Sequence, residues 1–341
     1  MSKKKVSFCM PSPCICFKQV ASRRDIALKI KGIEQQLDAI ASERTDFNFV
    51  SSRSEERPLR VITTSAIDIS EVYGRDMDKK IILDHLLGKN CQEKSGLYIV
   101  SIVGTGGMGK TTLARLAYNH PKVKAHFDER IWVCVSDPFE PTRIFRDIVE
   151  ILQKTSPNLH NLEALHQKVQ TCVSGKKFLL VLDDVWTDED QLWEQLKNTL
   201  HCGAAGSRIL ATTRKESVLK MMRTTYKHPL GELSLEQCRA LFHQMAFYER
   251  STWEKEEELK EIGEKIADKC KGFPLAIKTL GNLIRFKNNK EEWEDVLNNE
   301  VWWLDVFETD ISPALLLSYY DLPPAIKRCF SYCAVFPKDC Y

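Results

Sequence analysis

The stretch that most constrains this chain is Gly104-Thr105-Gly106-Gly107-Met108-Gly109-Lys110-Thr111. It fits the spacing G-x-x-x-x-G-K-[ST], follows the apolar, β-rich run from Leu97 to Val103, and leads into the helical stretch Thr112 to Tyr118. Glycines at these positions let successive backbone N–H groups turn inward, and the start of a helix adds partial positive charge to them. Such a loop grips phosphate oxygens. The cradle is therefore predicted to comprise Gly104, Gly106, Gly107, Met108 and Gly109. Lys110 is predicted to meet β- and γ-phosphates, Thr111 to enter the shell of a Mg²⁺ ion, and Thr112 to be a second phosphate donor.

A metal held at a phosphate needs a carboxylate at a neighbouring strand end. The run Lys177 to Leu182 is such a strand and it stops on Asp183 and Asp184. Asp183 is the expected Mg²⁺ partner, and Asp184 stands where a carboxylate polarises the attacking water. An Asp reaches less far than a Glu, which favours slow hydrolysis. Another strand, Arg208 to Thr212, is followed by Thr213 and Arg214. At the phosphate-bearing edge of a sheet, that arginine either senses a γ-phosphate or pairs with a surface carboxylate. The residues alone leave both open.

Further β-rich runs at Arg130 to Val135 and, less clearly, His228 to Leu233 alternate with helical patterns. Short runs that are apolar on both faces suit buried parallel strands with helical crossovers, so residues 61–235 are predicted to form a five-stranded α/β domain. From 236 to 301 the pattern is helical, punctuated by Gly272 and Pro274, and 302–341 is proline-rich and ends on an apolar run. Ahead of the α/β domain, Ile26, Ile30, Ile33, Leu37 and Ile40 share one seam of a helix, and a polar linker follows near residue 58.

With 49 Lys+Arg against 47 Asp+Glu, the net charge of +2 gives no broad field for nucleic acid, and Lys327 and Arg328 form too small a basic feature to reverse that. No nucleic-acid partner is expected. The 12 cysteines are scattered through a chain of 341 residues, as reduced thiols of a cytoplasmic protein would be. The cluster Cys9, Cys14 and Cys16 beside three lysines leaves S-acylation, and with it membrane contact, as an alternative to an unstructured lead-in.

Read together, VYGR at 72–75, GTGGMGKTT, FDERIWVCVSD at 127–137, LLVLDDVW at 179–186, GSRILATTR at 206–214, GFPLAIKTLG at 272–281 and CFSYCAVFPKD at 329–339 resemble the plant NB-ARC disease-resistance proteins. Trp186 after LDDV looks like their coiled-coil-type branch, with residues 1–60 as the tail of a coiled-coil domain and its linker. The resemblance implies a P-loop NTPase fold of the STAND/AAA+ kind, then a small helical domain at 236–301 and a partial winged-helix domain at 302–341. It implies an immune switch that exchanges ADP for ATP, with Val72 and Arg75 bordering adenine and Pro274 packing on the base. It also implies homo-oligomer formation on activation, and other immune receptors or helper proteins as partners of the coiled-coil tail. Most of the coiled-coil domain, the Met-His-Asp motif and the leucine-rich repeats of such proteins are not in this sequence, so a truncated or short member is expected.

Overall fold

Along β1 (Tyr98–Val103), Ile99 faces one apolar layer while Val100 and Ile102 face another. The same two-residue alternation repeats on β3 (Phe178–Val185), where Leu180 and Leu182 oppose Leu179 and Val181, and on β4 (Arg208–Thr213), where Ile209 opposes Leu210. A strand with both faces apolar must be covered on both faces, and helical crossovers do this only when the strands run parallel. The computed structural model, which describes residues 63–88, 97–135, 139–157, 159, 161–248, 256–303 and 313–333, has this arrangement. Its sheet is five-stranded and parallel, in the order β2-β3-β4-β1-β5, with β2 at Glu129–Cys134 and β5 at Tyr226–Pro229. Residues 1–60, with the seam helix and the cysteine cluster, lie outside the described residues.

Helices α1 (Asp76–Leu87), α2 (Lys110–Asn119) and α3 (Pro121–His126) cover one face with Ile82, Leu86, Leu113, Ala114 and Val123. On the other face lie α4 (Pro141–Gln153), α5 (Leu162–Val173), α6 (Asp190–Leu200) and α7 (Glu216–Met221), which contribute Phe145, Ile148, Leu165, Trp193 and Val218. Among these, α4 has the most sharply one-sided sequence, with Ile144, Phe145, Ile148 and Val149 on its buried stripe.

The fifth strand sits a few residues ahead of the predicted His228 to Leu233. It pairs Val100 with Tyr226 and Val103 with Pro229, and its side chains alternate in exposure rather than being buried on both faces. This is an edge strand, and a search for two-faced apolar runs passes over it. Pro229 has no N–H for the ladder, so pairing ends there, with Leu230 N giving one last bond of 2.8 Å to Val103 O.

A separate helical layer follows, made of α8 (Leu235–Ala246), α9 (Glu256–Lys269), α10 (Pro274–Arg285) and α11 (Lys290–Leu297). Ser234 and Gln237 cap α8 reciprocally, at 3.3 and 3.0 Å. Between α9 and α10 the chain turns at Gly272 (φ +79°), where a Cβ would lie 2.5 Å from Glu232 Cβ, and Pro274 then opens α10. The core of this layer runs beyond residue 301, because Ala314 and Leu317 of α12 (Pro313–Asp321) pack with Phe242, Ile277 and Trp293. On the last helix among the described residues, α13 (Pro324–Cys333), no side chain is buried.

Two cysteines of this layer, Cys238 and Cys270, are buried, whereas Cys329 and Cys333 on α13 are exposed. Burial pushes the Cys270 thiol up to about 12, with Cys238 and Asp268 nearby adding to it. Because the thiolate is the reacting species, native Cys270 is expected to stay unalkylated by iodoacetamide at pH 8 while Cys329 and Cys333 react. Peptide mass spectrometry before and after denaturation checks this, and modification of Cys270 at the rate of Cys329 would contradict it.

Candidate functional site

Where β1 ends, the backbone enters the left-handed region at Gly107 (φ +79°) and Gly109 (φ +93°) before α2 begins at Lys110. These turns need glycine, since a Cβ is disfavoured there. No side chain caps the start of α2, so its first N–H groups face the loop. A Cβ at Gly106 would come within 2.6 Å of an Arg214 nitrogen, and one at Gly107 within 2.7 Å of Leu275 Cβ. Neighbours thus press on the loop from β4 and from α10.

The Lys110 side chain is buried and arches back over this loop, its Nζ donating to Gly104 O at 2.7 Å and Thr105 O at 2.9 Å. Burial holds its pKa below the usual lysine range, Arg214 lowers it further, and Asp184 and Asp183 partly offset both. An ammonium ion short of compensating charge sits at the mouth of an N–H cradle. An anion with several oxygens would answer both.

Asp183 is fully buried, and its described partners are hydroxyls: Thr111 Oγ1 at 2.9 Å and Thr212 Oγ1 at 2.6 Å donate to Oδ1, while Thr63 Oγ1 donates to Oδ2 at 2.9 Å. A buried carboxylate beside a loop threonine is a hard-oxygen donor set of the kind Mg²⁺ prefers. The residues fit that ion. Thr63 was not legible as a site residue, because it stands in a polar stretch with no periodicity and reaches Asp183 only through the fold.

Beyond Leu182 the strand does not stop. It continues to Val185 through an irregularity in its pairing with β4, and Asp184 takes up φ +58°. Such a bulge re-aims a side chain. Asp183 stays buried, whereas Asp184 is half-exposed with Oδ1 4.0 Å from Arg214 Nε, and its own N–H donates to Thr212 Oγ1 at 2.8 Å. Arg214 also lies over the Trp186 ring, 5.0 Å from its centroid. The arginine therefore has a surface carboxylate and also borders the loop at Gly106. A half-exposed pair at this distance adds little stability, so it leaves the guanidinium free to be drawn elsewhere.

Arg75 is buried and braces the loop from the other side, with Nη2 donating to Met108 O at 2.9 Å and Nη1 to Asp78 Oδ2 at 3.1 Å. Asp78 in turn meets the buried His228 Nε2 at 2.9 Å, which extends the brace to β5. Met108 contributes its carbonyl here, while its side chain is part of the core. Val72 is half-buried and closes a short turn through its N–H to Ile69 O, and Thr112 is half-buried on α2. Pro274 sits at the first position of α10, and the next residue, Leu275, donates its N–H to Gly107 O at 3.2 Å. Phe273 packs against both the helical core and the sheet core on the α1–α2 side. The start of α10 is thereby fastened directly to the loop.

Residues 75–252 match the NB-ARC domain. Over 319 residues the chain is 42% identical to the putative disease resistance protein RGA4 of Solanum bulbocastanum, covering 93% of this chain and 32% of that protein. It is 36% identical over 312 residues to the putative disease resistance RPP13-like protein 1 of Arabidopsis thaliana, covering 91% of this chain and 29% of that one. Among solved structures, a signal transduction ATPase with numerous domains from Pyrococcus horikoshii is similar at a TM-score of 0.46 and 16% identity, over 80% of this chain and 36% of that chain. The chain spans about a third of the length of the curated relatives it matches. Since the family match opens on Arg75, which braces the glycine-rich loop, and runs through the whole parallel sheet into the helical layer, the chain belongs to the NB-ARC domain family.

Proposed function

We propose that this chain is an ADP/ATP-binding switch of plant defence, which binds either nucleotide with Mg²⁺ and changes shape when ATP replaces ADP. The observation that carries the reading is the bond from Leu275 N to Gly107 O, by which the helical layer is seated on the phosphate loop. Gly104, Gly106, Gly107, Gly109 and the Met108 backbone cradle the phosphates, Lys110 and Thr112 neutralise and bind them, and Thr111 and Asp183 hold the cation. Arg214, weakly held by Asp184, turns to a γ-phosphate when one is present, and Val72, Arg75 and Pro274 enclose the base. Charge at one more phosphate thus alters the contacts of β4, and the seat of α10 follows.

Asp184 is the water-polarising candidate. Its turn toward Arg214 favours slow hydrolysis, so the chain works as a timer rather than as a rapid ATPase or kinase. The names of the relatives, disease resistance proteins of Solanum and Arabidopsis, support the defence role. Homo-oligomer formation in the ATP state, partner immune receptors and a cytoplasmic location belong to the same reading.

Hydrogen exchange read by mass spectrometry tests it. Loading with a non-hydrolysable ATP analogue instead of ADP is expected to change exchange across residues 273–276 by roughly tenfold, about 1.4 kcal/mol of local opening. Equal exchange in the two states would reduce the protein to a nucleotide binder with no switch.

A further inference from the structure

We propose that Thr63, in the segment entering the nucleotide-binding domain, is a positioning residue of the cation site, and that it ties this segment to the occupancy of that site. The inference rests on the nucleotide reading above and goes beyond it. Three consecutive carbonyls of the segment are each held by a side chain. Trp132 Nε1 donates to Thr63 O at 3.1 Å, Arg115 Nε to Thr64 O at 2.7 Å, and Asn119 Nδ2 to Ser65 O at 2.6 Å. Arg115 and Asn119 are one turn apart on α2, the helix that also carries Lys110 and Thr111. The segment is thus pinned along the helix whose start forms the phosphate cradle.

Pinned there, Thr63 points its hydroxyl at Asp183 Oδ2, 2.9 Å away, while Thr111 and Thr212 hold Oδ1. Among the described residues, Thr63 gives the hydrogen bond that reaches Oδ2. A fully buried carboxylate oxygen without a donor is costly, and a carboxylate held at one oxygen alone is free to rotate. With Oδ2 fixed by Thr63, Oδ1 stays on the side of Thr111, and these two groups would hold a cation. In the other direction, a cation that holds Asp183 in this orientation keeps Oδ2 facing Thr63, and so favours the docked position of the whole pinned segment. The dependence is reciprocal, as coupling between two sites must be.

The test compares ADP affinity with Mg²⁺ and with EDTA by calorimetry on the 341-residue chain. Thr63→Val keeps the shape and removes the donor. It is expected to cut the affinity gain given by Mg²⁺ about tenfold, as loss of a hydrogen bond to a charged group does, and to leave affinity in EDTA unchanged within about twofold. Thr63→Ser should restore the gain. A full Mg²⁺ gain in Thr63→Val, or an equal loss with and without the metal, overturns the proposal. Wild type that binds ADP with no Mg²⁺ gain also overturns it while sparing the nucleotide reading, whereas wild type that binds no ADP at all removes both. Should Thr63→Val fail to fold, wild-type hydrogen exchange across residues 63–65 decides. It is expected to be slower with Mg²⁺ and ADP than with ADP and EDTA, and equal rates overturn the proposal.

Discussion

Replacing Lys110 with alanine is expected to weaken ADP binding at least about thirtyfold, or roughly 2 kcal/mol, the scale of a charge-assisted contact removed from a sheltered site. Lys110 is 7% exposed and its ammonium is held over the loop by the carbonyls of Gly104 and Thr105, so its direction is fixed before any phosphate arrives. The same substitution should barely lower the stability of the ligand-free protein, because burying that charge is itself unfavourable. Burial and Arg214 both hold its pKa below the usual lysine range. In thermal unfolding, the variant should therefore melt close to wild type but lose the upward shift that ADP gives. An undiminished ADP shift would sink the phosphate assignment. With the folded-state pKa below that of the unfolded chain, the unfolded chain binds more protons in the window between the two. The ligand-free protein accordingly gains stability as pH rises through that window, while ADP binding weakens as Lys110 loses its charge.

Truncating Trp293 to alanine is expected to cost about 3 to 5 kcal/mol, the range for deleting a large buried aromatic side chain. Trp293 is fully buried, its ring centroid lies 5.4 Å from that of Phe247 and 6.4 Å from that of Phe242, and its Nε1 donates to Lys287 O at 3.3 Å. Gly263 permits this packing, since a Cβ there would meet Trp293 at 3.2 Å and Phe242 at 2.9 Å. No small rearrangement of α9 and α11 refills so large a space. A loss of this size is a large part of the roughly 5 to 15 kcal/mol that holds a typical domain folded. Urea unfolding followed by circular dichroism should show the helical layer melting ahead of the sheet, whose buried residues cluster apart from it although Phe273 packs against both. A loss below about 1 kcal/mol would mean that the layer is not organised around this ring.

Much of the architecture was legible because two periodicities and one motif agreed. The strand before Gly104, the loop and the helix after it form a local unit, and the runs around Leu180 and Ile209 are apolar on both faces because both faces of the sheet are covered. Gly272 and Pro274 punctuate the helical layer where their backbone preferences require, one at φ +79° and the other at the first turn of α10. Legibility failed where pairing, rather than composition, decides the structure. The fifth strand is set by its partner β1 and ends at Pro229, and β3 continues past its carboxylates because β4 pairs with Val185. Neither fact leaves a mark in a window of local sequence.

Glycine spacing and apolar alternation act through the local backbone, so the parallel α/β sheet and the glycine-rich loop after its first strand could be read from the residues alone. What surrounds that loop depends on long-range packing. Asp183 and Asp184 are adjacent in the chain and chemically identical, yet a bulge buries the first among three hydroxyls and turns the second toward Arg214. Thr63 lies 120 positions from the carboxylate it meets, and Leu275 reaches Gly107 from another layer. The physical reason is common to all of these: a hydrogen bond acts over about 3 Å of space whatever the separation along the chain, and packing, not local propensity, sets which groups come that close.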